Sequence, residues 1–268
     1  MRYLLIFSFF ALTVLSACRK NDYTILESQD SNQKYTVAFT TLSAAKSPAT
    51  SKNLNEATSE YIRIYNLDEG GILVSNSKTN ELPAGNYVAV FVYSNTYFSR
   101  VYGLGGTSEG YNFENSFFDT RRSVATQGYS IDDILYKKVY FQVKQKNISQ
   151  AIQLDRIVSD LEVSVQDEMP ANVSRLELSV NDLAIFKFNT DTKESAVDKI
   201  KNFLPTDKLL NSYVLGEGSR AVTLRAYNVS GGVLKVKRVV ATFTFGKKTV
   251  INLNLFGDNT TPHTIATY

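Results

Sequence analysis

The feature that most constrains this chain is a type of short run that recurs along its length: β-branched and aromatic residues, ended by glycine, proline or asparagine. Residues 87–93 (YVAVFVY) are the densest example. Such side chains suit a pleated surface, and alternation with period two places one face of a strand in a core. Residues 35–41 alternate in this way. Residues 60–67 and 72–75 flank Asp68-Glu69-Gly70-Gly71, a turn in which glycine adopts positive φ at little cost. Leu82-Pro83-Ala84-Gly85-Asn86 is a second turn, leading into residues 87–93, so this part reads as an antiparallel meander. Further strands are expected at residues 135–145, 152–165, 174–180, 184–189, 220–228, 233–245 and 248–256. The apolar parity changes between Leu154 and Leu161, which predicts a bulge or break near Asp155-Arg156. Ser230-Gly231-Gly232 and Gly246-Lys247 join the last three strands as hairpins.

One segment reads differently. In residues 193–204, Val197, Ile200, Phe203 and Leu204 share one helical face. Asp191 and Glu194 are spaced as a capping box, and Pro205 closes the segment, so a short helix is expected there. Many short strands with turn residues between them predict an all-β fold, two tandem antiparallel β-sandwiches with at most one short helix. The boundary is expected between Lys146 and Ser149, giving an N-terminal sandwich at 35–147 and a C-terminal one at 148–268. Each half has a strand, a glycine turn and a return strand.

The N-terminus has its own logic. Arg2 precedes an apolar run at residues 4–15 (LLIFSFFALTVL). A bilayer crossing takes about 20 apolar residues, so the run fits the hydrophobic region of a secretion signal instead. Leu15-Ser16-Ala17-Cys18 follows directly and resembles the lipobox of bacterial lipoproteins. Leu15, Ser16 and Ala17 are then signal-peptidase recognition residues. Residues 1–17 are the expected signal peptide, Cys18 the lipid attachment point, and residues 18–34 a polar tether. Cys18 is the one cysteine in the sequence, so the fold depends on its core and backbone ladders, not on disulfides.

Candidates for chemistry are few. The sole histidine, His263, lies near the C-terminus, so neither a histidine-based triad nor a multi-histidine zinc site can be assembled. No metal, no cofactor and no catalytic residue is expected. Asp119 and Asp132-Asp133 could form a glycosidase-like carboxylate pair, or be ordinary solvated loop acids. Gly103-Leu104-Gly105-Gly106 has no helix after it and reads as a loop. Lys235, Lys237 and Arg238 read as the polar face of a half-buried strand whose apolar side carries Leu234, Val236 and Val240. A net charge of +3 with both signs interspersed gives no case for nucleic acid. Residues 94–130 hold the densest aromatic cluster. Tyr102, Tyr111 and Phe113 in it are candidates for stacking on sugars or anchoring a partner; the alternative is a long loop folded back on its own sandwich.

Two stretches carry a family resemblance. Tyr61-Ile62-Arg63-Ile64-Tyr65, the Asp68-to-Gly71 turn and the step Leu82-Pro83-Ala84-Gly85-Asn86-Tyr87 resemble the first domain of fimbrillin-associated anchor lipoproteins. Ile152-Gln153-Leu154-Asp155-Arg156 and Pro170-Ala171-Asn172-Val173 resemble the opening of that family's second domain. The resemblance implies two transthyretin-like sandwiches, lipid-anchored in the outer membrane at the cell surface, serving as anchor or accessory subunit of a type V pilus. Its implied partners are fimbrial subunit proteins, met through β-strand contact. No arginine lies between Arg19 and Arg63, where trimming of filament subunits would be expected, which favours an anchor that keeps its lipid. Residues 248–256, with Ile251, Leu253 and Leu255 on one face, are the candidate strand-exchange or edge strand. The competing reading is a surface glycan-binding lipoprotein of a polysaccharide uptake system.

Overall fold

The computed structural model describes residues 33–42, 59–94, 100–102, 112–121, 131, 133–257 and 263–268. The expected signal peptide, Cys18, most of the tether, Tyr111 and Asp132 lie outside the described residues, and Tyr102 is described by its backbone alone.

The first sandwich starts with β1 (Lys34–Leu42), β2 (Ser59–Asn66), β3 (Ile72–Ser75), β4 (Thr79–Pro83) and β5 (Gly85–Ser94). It ends with β8 (Ile134–Val143), β9 (Ile148–Gln153) and the two-residue β10 (Asp155–Arg156). A three-stranded sheet, β4-β1-β9, faces a five-stranded sheet, β10-β8-β5-β2-β3. Their shared core is rich in rings: Phe39 meets Phe91 edge-on at 5.2 Å, and Tyr87 stacks on Phe141 at 5.5 Å. The turn before β5 is a latch. Asp68 accepts hydrogen bonds from the Asn86 backbone N and Nδ2, both at 2.8 Å, and Tyr87 donates to the Pro83 carbonyl at 3.0 Å. A Cβ on Gly85 would lie 3.1 Å from that Asp68 carboxylate, which accounts for glycine there.

The second sandwich contains β11 (Ser159–Val165), β12 (Arg175–Lys187), β13 (Lys193–Phe203), β14 (Leu209–Val214), β15 (Gly218–Tyr227), β16 (Val233–Phe243), β17 (Lys248–Leu253) and β18 (Thr264–Thr267). Sheet β14-β11-β17-β18 faces a sheet in which β12 has β13 along one side and β15-β16 on the other. This core is almost wholly aliphatic, with Leu161, Val163, Leu176, Leu178, Val222, Leu224, Ile251 and Leu253 among its buried members.

The two sandwiches repeat one topology. Strands β1, β2, β3, β4, β5, β8 and β9 pair with one another in the same pattern and orientation as β11, β12, β13, β14, β15, β16 and β17. Neither is wholly antiparallel, because β1 runs parallel to β9 and β11 parallel to β17. Among the described residues three pieces break the correspondence: β10, which lies outside β8 where β16 has no such neighbour, β18, and an insertion between β5 and β8 carrying β6 (Arg100–Tyr102) and β7 (Phe117–Asp119). Strand β7 pairs with β12, so this insertion extends a sheet of the other sandwich.

A third core joins the halves. Tyr65, Val88, Val90, Val92 and Tyr136, on the far face of the five-stranded sheet, pack with Phe113 and Phe118 of the insertion and with Phe186, Phe188 and Leu215 of the second sandwich. Phe118 stacks on Phe186 at 5.2 Å with 13° between the rings. Strand β5 therefore faces one core with Tyr87, Ala89, Phe91 and Tyr93 and another with Val88, Val90 and Val92. That is why its sequence is continuously apolar and does not alternate. Residues Gln33–Tyr268 form one compact unit.

Several expectations change. The segment expected to be helical is β13, in antiparallel register with β12 from Leu176↔Phe203 to Phe186↔Lys193. Asp191 is no helix cap: it has φ +56° in the hairpin turn and accepts a hydrogen bond from the Tyr136 hydroxyl at 2.8 Å. The core-facing set is Val197, Lys199, Lys201 and Phe203, because lysine stems are apolar enough to line a core edge. Lysines at alternate positions hid the period-two pattern. On β16 the expected parity is reversed. Lys237 is 9% exposed and shares a face with Val239, Ala241 and Phe243, whereas Val236 and Val240 are 46% and 62% exposed. The longer apolar series sets the face, and Lys237 is carried inward with it. The changeover between sandwiches also falls later than the expected 147/148 boundary, since β9 and β10 pair with β1 and β8.

Candidate functional site

A β-rich chain offers its backbone as well as its side chains, so strand edges are a natural place to look for a site. An open edge presents unpaired N–H and C=O groups, and proteins blunt edges they do not use with charge, proline, bulges or short length. Among the described residues most edges here are blunted. Strand β3 has four residues and a register shift, β10 has two residues, and β4 carries Glu81 and Pro83. Strand β13 turns Lys199 and Lys201 inward and is interrupted at Ser195, where φ is +59°. Lys237 does the same for β16. On β14 the Asn211 carbonyl is taken by Lys201 Nζ at 2.7 Å.

Two edges carry no charge, proline or bulge, although β18 is as short as β3. Strand β9 (ISQAIQ) and strand β18 (TIAT) contain neither charge nor proline. The topological repeat singles out β9. In the second sandwich, β17 has β18 on its outer side; in the first, no described strand occupies the equivalent place beside β9. Val139, Phe141 and Ile148, next to this place, are only partly buried members of the first core. From the sequence, the second sandwich is expected to start at residue 148 and to open with Ile152 to Arg156. In the structure Ile152 and Leu154 are buried in the first core, and Arg156 is tied to Asp133 with Nε to Oδ1 at 2.7 Å. An uncharged eight-residue run between Lys146 and Asp155 was the available signal.

The candidate residues on β17 have a different setting. This strand is hydrogen-bonded on both sides, to β11 and to β18, and Ile251, Leu253 and Leu255 are all buried in the second core. Among the described residues the edge on that side of the sheet belongs to β18. Beyond Leu253 the chain is held by Asp167, whose carboxylate accepts the backbone N–H groups of Leu255, Phe256 and Gly257 at 2.5–3.0 Å.

Of the aromatic candidates, Phe113 is 7% exposed, 5.6 Å from Tyr65 and 6.2 Å from Tyr140, so its ring serves the third core. The exposed ring beside it is Tyr140, with Lys138 Nζ 5.9 Å from its centroid. Of the carboxylates considered for catalysis, the two that are described each have an arginine: Asp119 is chelated by Arg121 and Asp133 by Arg156. A buried ion pair was not legible from sequence. Lys199 Nζ lies 2.7 Å from Asp182 Oδ2, and the carboxylate also accepts the backbone N–H groups of Leu183, Leu215 and Gly216. Burial pushes the Lys199 amine below its usual value, against the pull of Asp182. The pair fixes Leu215 where it enters the third core.

No protein-family model matches the chain, and no curated protein matches it by sequence. Solved structures do share its fold. The fimbrial anchor protein Mfa2 from Porphyromonas gingivalis aligns with a TM-score of 0.50 at 13% identity, covering 88% of this chain and 96% of that one. A fimbrial assembly protein from Parabacteroides distasonis aligns with a TM-score of 0.50 at 10% identity, covering 87% and 95%. A candidate polysaccharide-binding protein from Bacteroides thetaiotaomicron aligns with a TM-score of 0.52 at 10% identity, covering 82% and 92%. What these proteins have in common with this chain is the fold over nearly their whole length.

Proposed function

We propose that this chain is a non-enzymatic lipoprotein of the outer membrane that anchors or nucleates a fimbrial filament, with Cys18 carrying the lipid and a strand edge meeting the next subunit. The observation that carries the reading is the two-sandwich fold, shared over most of this chain with a fimbrial anchor and a fimbrial assembly protein. The Leu15-Ser16-Ala17-Cys18 motif supports the membrane attachment. The contact site we favour is the β9 edge, with β18 second. Both are uncharged, and strand addition there gains main-chain hydrogen bonds while alternate side chains meet partly covered core residues such as Phe141.

Crosslinking in intact native cells, followed by pull-down through a C-terminal tag and mass spectrometry, tests the reading. Recovery of a second β-rich subunit, lost when β9 carries Ala151→Lys, is the expected result. Likeness to the candidate polysaccharide-binding protein keeps one rival in view. Recovery of an outer-membrane transporter with bound oligosaccharide would replace the anchor reading with glycan capture. Membrane retention is checked separately: Cys18→Ser should release the chain from the membrane fraction, and full retention of that variant would remove the lipid anchor from the proposal.

A further inference from the structure

Each sandwich joins its first strand in parallel to the last strand of the seven-strand repeat. In the first, six pairs run from Val37↔Ile148 to Leu42↔Gln153. In the second, six pairs run from Asp160↔Lys248 to Val165↔Leu253. The other strand pairs among the described residues are antiparallel.

This arrangement matters when a chain is pulled by its ends. Tension enters a repeat at the start of its first strand and leaves at the end of its last strand. If those strands are parallel, the two points lie at opposite ends of their ladder. Force then runs along the strands and loads every hydrogen bond together. If they were antiparallel, both points would lie at one end and the bonds would open one at a time.

The entry and exit points are reinforced. At the entry to β1, the Thr36 backbone N–H donates to the Asn147 side chain at 2.9 Å, tying the start of β1 to the start of β9. At the exit from β17, the Asp167 carboxylate beyond the end of β11 holds three successive backbone N–H groups, residues 255–257. Lys248 on β17 also pairs with Glu162 on β11. Strand β18, four residues long and antiparallel to β17, lies outside this clamp and would unzip first.

We propose that the β1–β9 and β11–β17 pairs are two load-bearing clamps in series, so that the chain resists tension between its N-terminal segment and the end of its second sandwich by shear. The anchor reading explains why such a load would exist. The mechanics belong to the chain alone, so the two ideas fail separately: one in cells by crosslinking, the other on isolated molecules.

Single-molecule force spectroscopy on the full, unlipidated chain tests the clamps by changing the direction of pull without touching a core. Cys18 provides one attachment in both arrangements. The second is either a cysteine added after Tyr268 or Lys247→Cys, in the exposed turn before β17. Pulling at 247 takes β17 out of the load path and brings the force out at the end of the second sandwich where β11 begins. The second sandwich must then unzip, while the first remains loaded in shear as an internal reference. The length of chain released identifies which sandwich opened. The expected result is a fall of about twofold or more in the unfolding force of the second sandwich, with the first unchanged, because forced unfolding reads the unfolding barrier along the direction pulled. Equal forces for the second sandwich in the two arrangements would overturn the proposal.

Discussion

The two sandwiches share a seven-strand topology but fill it differently. The first packs Phe39, Tyr87, Phe91 and Phe141 around one another, and among the described residues its small sheet stops at β9. The second is filled by valine, leucine and isoleucine, and its corresponding sheet continues to β18. The first also sends the insertion with β7 across to the sheet of the second. The lesson is that topology constrains where main-chain hydrogen bonds go, and leaves wide freedom in what fills the core and which edge stays open.

If the third core makes the halves one folding unit, cutting it should be felt throughout. Phe186→Ala, which removes a buried ring touching Phe118, Tyr136 and Phe188, should cost about 3–5 kcal/mol. The wild type should unfold in one calorimetric transition, and two well-separated transitions would break the picture of coupled sandwiches. The Asp182–Lys199 pair is next. Lys199→Ala leaves a carboxylate buried without its cation and should cost roughly 3 kcal/mol in denaturant titration. Lys199→Met should lose as much, since packing is restored but charge is not; full recovery by methionine would mean that Lys199 acts by its stem.

Alkali should probe the junction more gently. Burial, with help from the Asp191 bond, raises the Tyr136 phenol well above its ordinary value of 10.0. Its contribution to stability is therefore complete below that ordinary value and is lost as pH rises above it, because the unfolded chain ionises first. Tyr136→Phe should flatten the alkaline limb of a stability-versus-pH curve measured from pH 8 to 11; an unchanged limb would remove Tyr136 as its source.

The smallest effect on stability is the most informative about edges. Ala151→Lys on β9 and Ala266→Lys on β18 should each change stability by less than about 0.5 kcal/mol, since neither is a core residue. Only the β9 variant is expected to lose the subunit crosslink. Loss with the β18 variant alone would move the contact to the second sandwich.

The sequence by itself determined the class of fold and most of its strands. Period-two runs and glycine turns place β1, β2, β5, β15, β16 and β17 within a few residues, and the parity change near Asp155 marks a real break between β9 and β11. These are local properties, readable because side-chain alternation follows directly from the pleat. Tertiary structure decided the rest. Strand β13 looked helical because its core-facing lysines break the apolar alternation, and only packing shows their stems lining a core edge. The partners of β7 and β9 depend on contacts across long stretches of chain, which no local period encodes. Which edge stays open was likewise invisible in sequence: edge status belongs to the whole sheet, and β9 acquires it only because nothing described occupies the place that β18 fills beside β17.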